Sequence, residues 1–224
     1  ADGPLLAIIY GVAALWFFGT EASGTANRFV SLGLMIISLL TASIAVEPFL
    51  FAALLLEIAA ILVVPLLVPI YQKPGRGVVR FLIYQTLAMP FILFSGWMLA
   101  GVEASPGDLG TTTQAGTMLG LGFAFLLAVF PLYNWIPMLM EESSPYATGF
   151  LLWALPTFTV IFALGFLDRY AWLRTTPQLA SAIQFAGLFM VASGGIFASL
   201  QRHIGRMLGY ATIAETGLLI LIMG

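Results

Sequence analysis

The chain has 224 residues, 61% of them hydrophobic and 8% charged, and its mean hydropathy is +1.04. A soluble domain is about half apolar and a quarter charged, and too few polar side chains are present here to cover a water-facing surface. The absence of cysteine excludes disulfides, thiol chemistry and thiolate-held clusters, the single histidine excludes bis-histidine haem, and a net charge of −2 excludes a nucleic-acid footprint. Lipid is the solvent that this composition fits.

A bilayer core needs roughly 20 apolar residues per helix, and runs near that length recur along the chain. The first is Pro4 to Phe18, followed by Phe29 to Val46, Phe49 to Tyr71 and Phe81 to Val102. Met118 to Met140, Ala147 to Leu167, Leu179 to Leu200 and Met207 to Met223 complete a set of about eight. Short polar or glycine-rich connections separate them, none long enough for a second domain. The runs are unbroken and lack ten-residue alternation, so the expected fold class is all-α, a polytopic helix bundle and not a β-barrel. Ala1-Asp2-Gly3 lacks the basic start of a secretory signal, and Ile222-Met223-Gly224 closes an apolar run without a polar tail, as expected of a chain that continues.

Sidedness follows from the basic residues, because short loops rich in Lys and Arg remain cytoplasmic. Counted on alternate sides of the spans, Arg28, Lys73, Arg76, Arg80, Arg202 and Arg206 fall together, against Arg169 and Arg174. The first connection is therefore expected in the cytoplasm and both ends outside. The expected location is a bacterial plasma membrane or an equivalent energy-converting membrane.

Charge inside hydrocarbon costs several kcal/mol, which makes an intramembrane carboxylate a candidate functional group. Glu57 lies mid-span between Leu56 and Ile58, too deep to reach either surface. It is read as a proton carrier or, in the bland alternative, as a structural carboxyl hydrogen-bonded to a neighbouring helix. Glu215 lies about two turns inside the last span, among Thr212, Ala214, Thr216 and Gly217, which are small enough to admit water. Within Met118 to Met140, Pro131 and Pro137 flank Leu132-Tyr133-Asn134-Trp135-Ile136 and are expected to break the helix; broken helices expose carbonyls and line ion pathways in transporters. Glu141 and Glu142 follow at the membrane edge, where a solvated loop is the plainer reading. His203 sits in a basic loop, so a triad built on it is not expected. Ser193-Gly194-Gly195 suits close helix packing.

The order of these features resembles the antiporter-like membrane subunits of complex I, together with their Mrp-type antiporter and membrane-bound hydrogenase relatives. Pro131, Trp135, Pro137 and Glu142, with Ser144-Pro145 after them, resemble that family's K-x4-P-x-H-x-W-x-P segment and the acidic residue and proline that follow it. His203 to Ile213 resembles its D-L-K-R-x-L-A-Y-S-S-I segment, with Gly217 at the following glycine. The resemblance implies an inverted-repeat architecture, with these spans standing for helices three to ten of a longer, fourteen-helix subunit. It implies that Glu57 is the family's essential glutamate, that Glu215, Glu142 and Tyr133 lie along a hydrated proton path, and that quinone and nicotinamide chemistry belongs to partner subunits. No cofactor is assigned. The implied partners are other membrane subunits, the lipid bilayer and a transported proton or sodium ion; an active site for bond-making is not implied. The departures are specific. Leu126 stands where the broken-helix lysine belongs, Thr157 or Phe158 where the next helix carries one, and Tyr133 where the family has histidine. Lys73, in a loop, is the sole lysine. Two functions follow: a proton- or cation-translocating subunit, or a structural subunit that conducts nothing.

Overall fold

The computed structural model describes residues 3–24, 28–47, 50–68, 71, 73–104, 109–170, 172–173 and 177–224. Arg174, one of the residues used to assign sidedness, lies outside them. Among the described residues the architecture is entirely helical: α1 (Gly3–Phe18), α2 (Thr20–Ser23), α3 (Arg28–Ala45), α4 (Leu50–Leu67), α5 (Arg76–Ala104), α6 (Leu109–Leu126), a 3-10 turn (Leu132–Asn134), α7 (Trp135–Glu142), α8 (Pro145–Arg169), α9 (Pro177–Leu200) and α10 (Ile204–Met223). Five of these carry windows long and apolar enough to cross a membrane (in α3, α5, α8, α9 and α10), while Gly3–Phe18 and Phe51–Leu67 are shorter apolar helices. The protein is a multi-pass membrane helix bundle.

Each expected span meets a helix or, in one case, a broken pair. The largest departure is the fifth: the expected run Met118 to Met140 is α6, a break and then α7, and α6 begins at Leu109 inside what reads as a polar connection. Thr111, Thr112, Thr113 and Gln114 make that turn polar in sequence, yet none of them prevents helical hydrogen bonding. Helix α5 likewise starts five residues before its apolar run, at Arg76.

Helix α8 is the hub. It is the most enclosed span, with 56% of its apolar window buried against 22% for α9, and it contacts α3, α4, α6, α7 and α10. Around it stand the helix pairs α3–α4, α5–α6 and α9–α10, with α7 wedged between α5 and α10. Buried residues of α3 recur at Phe29, Gly33, Ile36, Ile37, Leu40 and Ser43, the three-and-four spacing of one helix face. At one end of the bundle an aromatic cluster ties α1, α3 and α8 together: Phe29 meets Phe150 and Tyr146 at 5.2 Å between ring centres, and the Tyr146 hydroxyl donates to the Trp16 carbonyl.

Small residues set the closest approach, as they do where lipid supplies no hydrophobic drive between helices. A methyl group at Gly187 would lie 2.7 Å from the Leu221 amide nitrogen, and one at Gly194 would lie 2.7 Å from that of Ala214. Gly217 closes the same seam from α10, against Met190 and Gly187. Gly195, beside Gly194, meets nothing within 4 Å, so of the two expected packing glycines only Gly194 lies in the interface.

Candidate functional site

Helix α4 turns a stripe of Ala52, Ala53, Leu56, Ala59, Ala60, Val63 and Leu67 into the bundle. Glu57 stands at the edge of that stripe, half-buried at the seam with α5. The Thr86 hydroxyl of α5 donates to Glu57 Oε1 at 2.6 Å. Glu57 Oε2 is buried without a hydrogen-bond partner among the described residues. Pro90, one turn beyond Thr86, has no N–H, which leaves the Thr86 carbonyl without its helical donor. A carboxyl with one free acceptor oxygen thus sits beside a backbone carbonyl that its own helix does not satisfy.

Gln85, next to Thr86, reaches the other way. Its side chain is 4% exposed, and Nε2 donates to the Leu126 carbonyl at 3.3 Å. That carbonyl is one of the four that a helix end leaves without intrahelical partners. Helix α6 ends in a double turn in which the Val129 amide donates to the Ala124 carbonyl at 2.8 Å and the Ala128 amide to that of Phe125 at 3.3 Å. This is the Schellman pairing, and Ala128 takes the left-handed conformation it demands, with φ of 51°. The Phe130-Pro131 peptide is cis. The chain then makes one 3-10 turn and re-enters a helix at Trp135.

The break is a packed one. Leu126, Tyr133, Trp135, Ile136 and Leu139 are all buried. Tyr133 lies beside Phe130, 5.9 Å between ring centres, and Trp135 beside Phe81 at 5.1 Å. Pro137 packs against the Gly209 backbone of α10, where an added methyl would come within 2.7 Å of its Cα. Of the sequence-derived residues, Trp135 shares a small enclosed region with Gln85 and Thr216, while Tyr133 lies against Phe130 and Pro137 against α10.

Glu142 and Glu215 stand apart from this group. Glu142 Oε2 accepts from the Gly77 amide at 2.7 Å, in the first turn of α5, where the unpaired N–H groups and the helix dipole both favour an anion. Gly75 leaves the room for that carboxylate, and Gly77 lets the α7 backbone at Leu139 come close. Next to it, Glu141 pairs with Arg206 at the start of α10. Glu215 is exposed on the outer face of α10, while Ile213, Thr216 and Gly217 point inward. Gln85 and Thr86 are the residues that sequence reasoning passed over. Gln85-Thr86, a polar pair in the middle of Phe81-Leu82-Ile83-Tyr84 and Leu87-Ala88-Met89, was the available signal. No group of three or more metal-ligating side chains occurs among the described residues.

Residues 108–224, α6 with the break and everything after it, match the family model described as NADH:quinone oxidoreductase/Mrp antiporter, TM. The chain belongs to this family. An NADH-quinone oxidoreductase subunit N of Mycobacterium tuberculosis (strain ATCC 25618 / H37Rv) is 25% identical over 177 residues, 68% of this chain and 33% of that protein. The NAD(P)H-quinone oxidoreductase chain 4-3 of Nostoc sp. is 26% identical over 184 residues, 69% of this chain and 31% of its own length. A subunit N of Geotalea uraniireducens is 27% identical over 132 residues, 54% and 28% of the two chains. The chain spans about a third of the length of these relatives. No solved structure matches it.

Proposed function

We propose that this chain is a proton-translocating part of an antiporter-like membrane subunit, working within a larger complex I-type assembly, and that Glu57 is its proton carrier. The observation that carries this reading is the Glu57 carboxyl: mid-helix, one oxygen bonded to Thr86, the other buried and free. Among the described residues no cation pairs with it, and a carboxyl within an apolar span is a candidate functional group. The free oxygen is where an ion in transit would bind. The same site, supplied with a sodium ion at the free oxygen, would serve the cation version of the family's chemistry. Quinone and nicotinamide chemistry stays with partner subunits in this reading.

A second reading has its own observation. The helix break is closed by apolar packing around buried Leu126, and Lys73 is the chain's sole lysine. A subunit that conducts nothing and serves as scaffold would need no more than this. Proton uptake into vesicles reconstituted with the complete complex separates the two. Glu57→Gln, which keeps the shape and removes the ionisable group, is expected to lower uptake at least tenfold, with Glu57→Asp retaining part of it; an unchanged rate in Glu57→Gln assigns the scaffold role.

A further inference from the structure

We infer that the cleft between the ends of α3 and α8 binds one phospholipid with a primary ammonium in its headgroup, of the phosphatidylethanolamine type. The two helices run in the same direction: Phe29 and Phe150, near their starts, lie 5.2 Å apart between ring centres, and Glu47 and Arg169, at their ends, line one cavity of about 420 Å³. Gly165 keeps that space open. A methyl group added there would meet nothing within 4 Å, so close packing does not call for this glycine, and a glycine weakens a helix interior. The missing side chain leaves room on α8 for a molecule that is not part of the fold.

The lining changes character along the membrane normal. Ile161, Phe162 and Phe166 give the cleft an apolar wall, whereas Asp168 and Arg169 close the same helix and Glu47 follows the end of α3. From Ile161 to Arg169 the helix rises about 12 Å, enough to pass from the hydrocarbon to the headgroup layer. A lipid carries the same gradient.

The charges select the headgroup. Guanidinium pairs with phosphate through a two-pronged fork, and each carboxylate has about four lone-pair sites, so the contacts that Asp168 and Arg169 already make leave capacity for a ligand. Two carboxylates against one guanidinium disfavour an anionic headgroup such as phosphatidylglycerol, whose sole charge is its phosphate. A primary ammonium donates its N–H groups to the carboxylates while the phosphate meets Arg169, and a choline headgroup has no N–H to donate. A free phosphorylated amine would leave the wall of Phe162 and Phe166 uncovered. A metal ion would meet two carboxylates with a fixed positive charge beside them.

Glu57 does not line this cleft, so the lipid site stands whether or not Glu57 carries protons. The test uses the intact membrane assembly that contains this chain, placed in nanodiscs of phosphatidylethanolamine and phosphatidylglycerol in equal amounts. A map that shows bound lipid is expected to place a phosphate oxygen at about 3 Å from the Arg169 guanidinium, with an acyl chain passing Gly165. An empty cleft, or one filled by a protein segment, overturns the inference. Native mass spectrometry names the lipid: Gly165→Phe, which fills the cleft, is expected to retain one phosphatidylethanolamine fewer per assembly and as much phosphatidylglycerol as the unaltered chain. Loss of phosphatidylglycerol instead, or no loss, also overturns it. Should Gly165→Phe fail to assemble, Arg169→Gln, at an exposed position, removes the phosphate partner and supplies the same comparison.

Discussion

Ala128 occupies a backbone conformation that suits glycine. Its φ of 51° serves the Schellman turn ending α6, and a left-handed residue with a Cβ costs roughly 1–2 kcal/mol. Glycine removes that cost but has more freedom to lose on folding, so Ala128→Gly is expected to stabilise by about 0.5–1 kcal/mol. Valine, branched at Cβ, is expected to destabilise by at least as much. Thermal unfolding in detergent micelles measures both. Glu142 gives a second residue-scale case, because its carboxylate closes the start of α5 at the Gly77 amide. Glu142→Ala should lose about 1 kcal/mol of capping, read as faster hydrogen exchange at Gly77 with protection in α8 unchanged. Equal loss in both places would mean that the carboxylate holds more than one helix end.

At the scale of elements, the apolar runs were readable because a membrane leaves the backbone few alternatives to continuous helix. The break was readable through Pro131, but its position was not: α6 stops at Leu126, before the proline, in a turn that no glycine announces. Glu57 was legible as a carboxyl within an apolar span. Its partner Thr86 lies 29 residues away across a loop, and no local pattern joins them. The outward facing of Glu215 was legible from periodicity, since the buried residues Gly209, Ile213, Thr216, Gly217 and Ile220 trace one face of α10 that does not include position 215. Glycine content likewise says nothing of facing. Gly194→Ala drives a methyl against the Ala214 backbone, which cannot yield as a flexible side chain can, and is expected to cost about 1–3 kcal/mol. Gly195→Ala adds a methyl in open space and is expected to gain about 0.5–1 kcal/mol of helix stability. Opposite signs at adjacent positions, measured by unfolding in micelles, are the outcome that this α9–α10 seam requires.

For the whole molecule, sidedness is the property that links sequence, fold and transport. Three separate contacts gather one set of connections at one end of the bundle. Glu142 meets Gly77, Glu141 meets Arg206, and Gly205 lies against the Met140 carbonyl. The loops bearing Lys73, Arg76, Arg202 and Arg206 therefore share that end. Glu47 and Asp168, with Arg169, line a common cavity between the far ends of α3 and α8. Basic loops stay on the side from which a membrane protein is inserted, so the Lys73 and Arg202 end is expected in the cytoplasm. These 224 residues contain no cysteine, so a single introduced cysteine is labelled without background from within them. In intact cells, a membrane-impermeant thiol reagent should modify Asp168→Cys and spare Lys73→Cys and Arg202→Cys, all three native side chains being exposed. Inverted vesicles should reverse the pattern. Labelling of positions 73 and 168 from the same side would break the alternation of spans on which the placement of Glu57 within the bilayer depends, and Glu57 would lose its claim to carry protons across it.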